Sequence, residues 1–304
     1  MIAVLFPGQG AQSPGMLEPW LELPEVATAL EALSEATSVD VIAHGMSSDA
    51  DTIRDTAIAQ PLLVATGLAT ARAVLGDSTA GLIAGHSVGE LGAAALAGVI
   101  DDAAAMSLVT VRSQAMAAAA AAAEPTSMAA VLGGVPADVV ARLEELGLTP
   151  ANMNGGGQIV AAGAKAAIEA LVAQPPTRTR AIELQVAGAF HTAYMAPAVA
   201  ALAEAASQVA PQDPATTLLS NADGESVATG ADALDRIVRQ VANPVRWDLC
   251  QERMLDHGVT GIIEVAPGGV LTGLAKRSLK GVPAVALKTP DDLPAARELL
   301  EQHA

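Results

Sequence analysis

The sequence is poor in cysteine, in aromatic residues and in basic side chains. Its 304 residues include one cysteine, Cys250, so no disulfide can form within the chain, and we interpret its thiol as a small buried hydrophobic group. Aromatic residues make up 2% of the chain and hydrophobic residues 51%, so the core must be aliphatic. The 16 Lys and Arg face 33 Asp and Glu. The resulting net charge of −17 argues against nucleic acid or an anionic membrane as a partner, because both would be repelled.

Signals for export, membrane insertion or phosphate binding are also missing. Segment 1–7 has no basic stretch ahead of a long apolar one, which distinguishes it from a signal peptide. No uninterrupted apolar run has the polarity profile of a membrane span, and the alanine-rich segment 115–123 is too short for one. The glycine-rich loop 7–10 lacks the Lys-Ser/Thr pair of a phosphate-binding loop. We therefore expect a cytoplasmic protein.

Short apolar segments alternate with segments of helical periodicity through most of the chain. Outside the middle, the apolar segments predict strands at 2–6, 80–84, 216–220 and 261–265. The periodicity predicts helices at 24–38, 59–75, from 90 onward, and at 101–123, 192–208, 232–241, 248–257, 270–279 and 291–302. This alternation predicts an α/β fold with a mostly parallel sheet covered on both faces.

The middle of the chain has a different order of elements, β-α-β-β-α-β. Strands are predicted at 127–132, 149–152, 158–162 and 179–186, with helices at 136–147 and 165–172. This is the order of the split βαβ unit of ferredoxin-like modules. We therefore predict a ferredoxin-like small domain at 125–190, inserted into a catalytic domain made of 1–124 and 191–304.

The sequence around Ser87 predicts a nucleophile elbow. An apolar strand precedes Gly85-His86-Ser87-Val88-Gly89, which fits G-x-S-x-G, and a helix begins at Glu90. The glycines let the backbones of strand and helix approach, and the seryl oxygen is left at the tip of the turn. This context predicts an α/β-hydrolase-like large domain with Ser87 as the catalytic nucleophile. A glycine-rich packing turn is the alternative interpretation.

A serine hydroxyl needs a base, and His191 is the best placed of the five histidines. It follows the small-residue loop 186–190, which leaves a predicted strand and leads into a helix, and α/β active sites lie at strand ends. The carboxylates between Ser87 and His191 are better explained as helix-start, helix-face or strand-surface charges. We therefore predict a Ser-His dyad whose imidazole is oriented by a backbone carbonyl. The alternative is a structural histidine.

Arg112 lies in a helical segment, 106–116, that is otherwise uncharged. A buried arginine needs a partner, because an unpaired buried charge is costly. One possible partner is Glu90, in an internal salt bridge. The other is a substrate carboxylate, held in two parallel hydrogen bonds, which would make the substrate an acyl group that ends in a carboxylate.

Several motifs together resemble one family in their order along the chain. They are Phe6-Pro7-Gly8-Gln9-Gly10, Gly85-His86-Ser87-Val88-Gly89-Glu90, Arg112, Asn152-x-Asn154-Gly155, Gly188-Ala189-Phe190-His191, Asn243-Pro244-Val245-x-Trp247 and Pro267-Gly268-Gly269-x-Leu271-Thr272-Gly273. From Met1 to about Pro290 the chain resembles malonyl-CoA:acyl carrier protein transacylases. Its length is similar to that of the free-standing enzymes of dissociated fatty acid or polyketide synthesis.

The resemblance implies a ping-pong transfer of malonyl from malonyl-CoA to the phosphopantetheine thiol of an acyl carrier protein. It implies Ser87 as nucleophile, His191 as base and Arg112 as the group that holds the malonate carboxylate. It also implies an oxyanion hole formed by the backbone N–H groups of Gln9 and Val88. Neither a cofactor nor a metal is implied, and we expect a monomer.

Three further residues receive roles by the same resemblance. The main-chain carbonyl of Arg246 would orient the catalytic histidine. Phe190 would crowd an α-methyl group and so favour malonyl over branched acyl groups. Met116 would form a wall of the substrate pocket, although core packing explains it equally well.

The acceptor and the reaction class remain open from the residues alone. Because carrier proteins are acidic, we expect a locally basic docking surface, and Lys276, Arg277 and Lys280 near one helix end are candidates for it. A solvated helix C-terminus is the alternative. A serine hydrolase that acts on a carboxylated ester or thioester would use the same nucleophile, and a catalytically silent scaffold is the third hypothesis.

Overall fold

The computed structural model describes residues 1–303, which form two separate β-sheets surrounded by helices. The larger sheet contains β1 (Ile2–Phe6), β2 (Leu82–Gly85), β7 (Thr217–Leu218), β8 (Gly261–Glu264) and β9 (Ala284–Ala286). The smaller sheet contains β3 (Thr126–Gly133), β4 (Thr149–Gly155), β5 (Gln158–Ala164) and β6 (Thr179–Glu183). The helices are α1 (Pro24–Glu35), α2 (Val41–Ser47), α3 (Thr56–Leu75), α4 (Gly89–Leu96), α5 (Asp102–Ala122), α6 (Pro136–Glu145), α7 (Lys165–Ala173), α8 (Ala196–Ala206), α9 (Gly230–Gln240), α10 (Trp247–Asp256), α11 (Val270–Ser278) and α12 (Leu293–His303).

The larger sheet has the strand order β7-β2-β1-β8-β9, and every neighbouring pair is parallel. Successive residues of β1 point to opposite faces of this sheet. Ile2, Val4 and Phe6 belong to one apolar cluster, whereas Ala3 and Leu5 belong to the other. Both faces are therefore buried, which explains why the strand is apolar at every position. The predicted α/β class with a mostly parallel sheet is confirmed.

The smaller sheet has the order β4-β5-β3-β6 and is antiparallel throughout. Its core includes Val131 and Ile159 from the strands, packed with Leu143 of α6 and Ile168 of α7. The predicted βαββαβ arrangement is confirmed, although its last strand ends at Glu183. The division of the chain into 1–124 plus 191–304 and 125–190 stays a prediction.

The sequence patterns predict neither α2 nor β9, which are 7 and 3 residues long. They also fail to show that α3 is long and apolar enough to span a membrane, by length and composition alone. Its mean hydropathy is 1.4. In the fold, 78% of that stretch is buried, because α3 packs against α1, α4 and α5. A helix that is hydrophobic on all sides is typical of a protein core as well as of a membrane span.

Candidate active site

Ser87 lies just beyond the carboxyl end of β2, in the turn that leads into α4. Its φ of 54° is in the left-handed region, which is strained for a residue with a side chain and typical of a nucleophile elbow. A Cβ at Gly85 would overlap with the backbone of Gly89, and a Cβ at Gly89 would overlap with the carbonyl of Phe6. The predicted steric reason for the two glycines is confirmed.

His191 faces the serine from a chain segment 104 residues away. Its Nε2 lies 2.7 Å from the Ser87 Oγ, and its Nδ1–H donates to the main-chain carbonyl of Gln240 at 2.9 Å. Because a carbonyl can only accept, this bond places the imidazole proton on Nδ1 and leaves the Nε2 lone pair toward the hydroxyl. The dyad geometry predicted from the sequence is therefore present.

The prediction that the carbonyl of Arg246 orients the histidine is wrong. That carbonyl accepts from the Cys250 N–H at 3.2 Å, within the first turn of α10. Gln240 is instead the last residue of α9, where helical carbonyls have no partner within the helix. The buried C-terminal carbonyl of α9, and not the loop that follows this helix, therefore orients His191.

The guanidinium of Arg112 reaches the same place from α5, and Arg112 is 1% exposed. Its Nη1 donates to the Gln60 side-chain oxygen at 2.6 Å, and its Nη2 donates to the Gln240 side-chain oxygen at 2.9 Å and to the Ser87 Oγ at 3.4 Å. Glu90, the alternative partner, accepts instead from the Asn221 N–H at 2.6 Å and from the Gln240 side-chain amide. Two neutral amides therefore hold Arg112 directly, and the buried Glu90, which forms no salt bridge with it, raises its pKa only through space.

Burial dominates the electrostatics of these groups. It lowers the pKa of His191 to about 3, with a further lowering by the nearby Arg112 charge, so the imidazole is neutral and free to accept a proton. Burial lowers the pKa of Arg112 to about 10, which leaves the guanidinium charged at neutral pH. Burial also raises the pKa of Glu90 to about 7, against the opposing effects of the Asn221 hydrogen bond and of Arg112.

Two backbone N–H groups beside the serine are available to a ligand. Within residues 1–303, neither the Gln9 nor the Val88 N–H has a hydrogen-bond partner. The Ser87 N–H, by contrast, donates to the Asn221 Oδ1 at 2.8 Å. The geometry is therefore compatible with the predicted oxyanion hole, whose function stays a prediction.

A cavity of about 420 Å³ opens above Ser87 and His191, between the two sheets. Met116 and Phe190 line it, as predicted, and both are nearly buried. The opposite wall belongs to the smaller sheet and consists of Met128, Ala130, Asn152, Asn154, Gln158 and Val160. The cavity thus has catalytic groups on one side and a mixture of amides and small apolar groups on the other.

Sequence reasoning missed Gln60, Asn221 and the role of Gln240, which are all at most 4% exposed. Gln60 carried a usable signal, because it is the one amide side chain in the largely apolar helix α3. Gln240 is the last residue of an amphipathic helix, where a glutamine gives no signal of a functional role.

The predicted basic residues lie near the end of α11. Val270, Leu271 and Leu274, earlier in this helix and on its N-terminal side, line the cavity. Lys276 and Arg277 belong to its last turn, and Lys280 follows it. Among residues 1–303, none of the three basic side chains forms a salt bridge. Positive charge therefore lies on the same helix as one edge of the cavity.

Comparison with known proteins agrees with this geometry. Residues 4–292 match the acyl transferase domain family. The chain is 50% identical over 298 residues to the malonyl CoA-acyl carrier protein transacylase of Mycobacterium bovis, covering 96% of this chain and 98% of that one.

Solved structures agree as well. The crystal structure of MCAT from Mycobacterium tuberculosis superposes with a TM-score of 0.93 at 49% identity, covering 98% of this chain and 99% of that one. A malonyl-transacylase in complex with its type II PKS acyl-carrier protein superposes with a TM-score of 0.91 at 32% identity, with coverage of 98% and 99%. The chain belongs to the acyl transferase family, among the malonyl CoA-acyl carrier protein transacylases.

Proposed function

We propose that this enzyme transfers the malonyl group from malonyl-CoA to the phosphopantetheine thiol of an acyl carrier protein, through an ester on Ser87. The observation that carries the proposal is the buried Arg112 guanidinium, whose hydrogen bonds all go to neutral side chains and which lies 3.4 Å from the Ser87 hydroxyl. A guanidinium there binds the carboxylate of a short acyl group while its thioester carbon faces the serine. The names of its relatives support the same donor and acceptor.

In the first half-reaction, the Ser87 Oγ attacks the thioester carbonyl and passes its proton to the His191 Nε2. The tetrahedral oxyanion accepts hydrogen bonds from the Gln9 and Val88 N–H groups, and one such donor contributes about 3–4 kcal/mol in other enzymes. The C–S bond then breaks, and His191 returns the proton to the departing CoA thiolate. The Gln240 carbonyl stabilises the transient imidazolium through Nδ1–H.

In the second half-reaction, the carrier thiol takes the place of the CoA thiol. His191 accepts the thiol proton, and the sulfur attacks the ester carbonyl of malonyl-Ser87. The C–O bond breaks, and the proton returns from His191 to the serine oxygen. The same base therefore serves both halves, as a ping-pong mechanism requires.

Acyl specificity follows from charge and from volume in this proposal. Arg112 selects the terminal carboxylate. Phe190 and Met116 limit the space around the acyl chain, so an α-methyl group is disfavoured. The reaction needs no cofactor or metal, since a serine, an imidazole and two N–H groups supply the nucleophile, the base and the oxyanion donors.

The surroundings of the site complete the proposal. Lys276, Arg277 and Lys280 form the docking surface for the acidic carrier protein, next to the cavity edge. The enzyme acts in the cytoplasm as a monomer, with the small domain 125–190 inserted into the catalytic domain.

Intact-protein mass spectrometry tests this proposal against hydrolysis and against a silent scaffold. Malonyl-CoA is expected to add a malonyl group to Ser87 that persists until a phosphopantetheinylated carrier protein is added. Rapid release of free malonate before that addition would identify a hydrolase. Transfer by a Ser87→Ala enzyme at the wild-type rate would refute the covalent mechanism.

A further inference from the structure

Asn221 is completely buried behind the nucleophile elbow and has no part in the chemistry described above. It follows β7, the edge strand of the larger sheet, and lies 134 residues beyond Ser87 in the chain. Its side chain does not reach the cavity. Any effect of Asn221 on the reaction must therefore act through other residues.

The carboxamide of Asn221 bonds to both sides of the elbow. Its Nδ2 donates to the carbonyl of Gly85 at 2.7 Å, and its Oδ1 accepts from the Ser87 N–H at 2.8 Å. These two backbone groups lie on either side of His86, immediately before the sharp turn at Ser87, which has a φ of 54°. A strained backbone persists only when its surroundings determine it, and this carboxamide does so from outside the turn.

Asn221 is itself held from several directions. Its N–H donates to the Glu90 Oε1 at 2.6 Å, and its carbonyl accepts from the Arg246 N–H at 2.8 Å. The Gln240 side-chain amide donates to the Asn221 Oδ1 at 3.2 Å and to the Ser87 carbonyl at 3.1 Å. Because Gln240 also contacts His191 and Arg112, the elbow, the base and the carboxylate-binding group share one buried polar cluster.

We infer that Asn221 is a positioning residue that fixes the elbow so that the Ser87 Oγ faces His191. By occupying the Ser87 N–H, it also leaves the Val88 N–H as the amide of the elbow that is open to the oxyanion. The inference rests on the proposed acyl transfer, and it assigns to Asn221 the alignment of the nucleophile and not the binding of substrate.

The test is single-turnover formation of the malonyl-enzyme in the absence of carrier protein, followed by rapid quenching and mass spectrometry. Asn221→Leu keeps the volume and removes both hydrogen bonds. We expect its maximal acylation rate to fall about 10²-fold, the effect of a misplacement of about 1 Å. The half-saturating malonyl-CoA concentration should stay near the wild-type value, because Arg112 and the cavity walls are intact.

Leu219→Ala is the matched control. Leu219 is buried two residues before Asn221 and has no polar side-chain atom to hold the elbow. This substitution weakens the same region by removing buried methyl groups, and a lower active fraction would reduce the amplitude of acylation but not its rate. A rate for Asn221→Leu equal to that of wild type, or an equal loss in Leu219→Ala, would overturn the inference.

A second measurement keeps the inference testable if Asn221→Leu does not fold. Amide hydrogen exchange in the wild-type enzyme should show a strongly protected Ser87 N–H, since its acceptor is buried. Exchange of that amide as fast as exposed loop amides would show that its hydrogen bond to the Asn221 side chain does not persist in solution. Absence of a malonyl ester on the wild-type enzyme would refute the proposed function itself. This outcome is distinguishable from a failure of Asn221 to position the elbow, which leaves wild-type acylation intact.

Discussion

The proposed binding of the malonyl carboxylate by Arg112 can be tested by adding a second carboxylate beside this guanidinium. Gln60 is 1% exposed, and its side-chain oxygen accepts from the Arg112 Nη1 at 2.6 Å. Glutamate has the same length as glutamine, so Gln60→Glu puts a carboxylate oxygen at the same contact and pairs the guanidinium internally. The adjacent positive charge also keeps the new carboxylate ionised, despite burial.

The expected effect follows from the charges involved. Two unit charges about 4 Å apart interact by about 4 kcal/mol at an effective dielectric constant of about 20. The malonyl carboxylate would then meet a neutralised pair and a like charge, so acylation at low malonyl-CoA concentration should fall about 10²–10³-fold. Acetyl-CoA has no such carboxylate. Its acylation rate should stay constant or rise, because Arg112 lowers the pKa of His191 and the new anion opposes that effect.

The assay is the initial rate of acyl-enzyme formation with malonyl-CoA and with acetyl-CoA, measured by mass spectrometry on the same enzyme preparation. Gln60→Met is the uncharged control of similar length. It should change the malonyl-to-acetyl ratio much less than Gln60→Glu does, because it removes a hydrogen bond from Arg112 without adding a negative charge. A Gln60→Glu enzyme with the wild-type malonyl-to-acetyl ratio would refute the reasoning.

Two further predictions concern stability. The unfolded chain protonates His191 below pH 6.5 whereas the folded chain does so only near pH 3, so stability is lost as pH falls through this window. The free energy of unfolding of His191→Gln should therefore fall less steeply than that of wild type between pH 6.5 and about 4.5, by up to about 1.4 kcal/mol per pH unit. Urea titrations at several pH values measure this difference, and parallel curves for the two proteins would contradict it. Gly85→Ala should cost more than about 4 kcal/mol or prevent folding, because its Cβ meets the Gly89 backbone. Gly273→Ala, in α11 with open space around it, should stabilise by up to about 1 kcal/mol, and thermal melts that rank the two in the opposite order would contradict the steric argument.

Local sequence was sufficient to predict the elbow and the large elements of the fold. The strand, the two glycines and the helix around Ser87 are contiguous in the chain, so about a dozen residues determine the geometry of the turn. His191 could be selected from a distance because strand ends of an α/β sheet converge on one edge. The short elements α2 and β9 carry too few residues for a periodicity, and β9 depends on pairing with β8.

The orienting carbonyl could not be predicted in the same way. Every residue offers a backbone carbonyl, so nothing in the side chains of the 240–246 region distinguishes Gln240 from Arg246. The choice is made by where α9 ends relative to His191, which is a property of packing. Asn221 was missed for a related reason, because its hydrogen bonds go to backbone atoms that have no sequence signature.

The two walls of the cavity come from different parts of the fold. Every group proposed to react or to hold the acyl carboxylate lies outside β3–β6, whereas the facing amides and small apolar side chains belong to those strands. Substitutions in these strands can therefore change the shape of the cavity without touching the proposed bond-making groups. Grafting the β3–β6 segment from a relative is accordingly a direct way to reshape the cavity while the reacting groups stay in place.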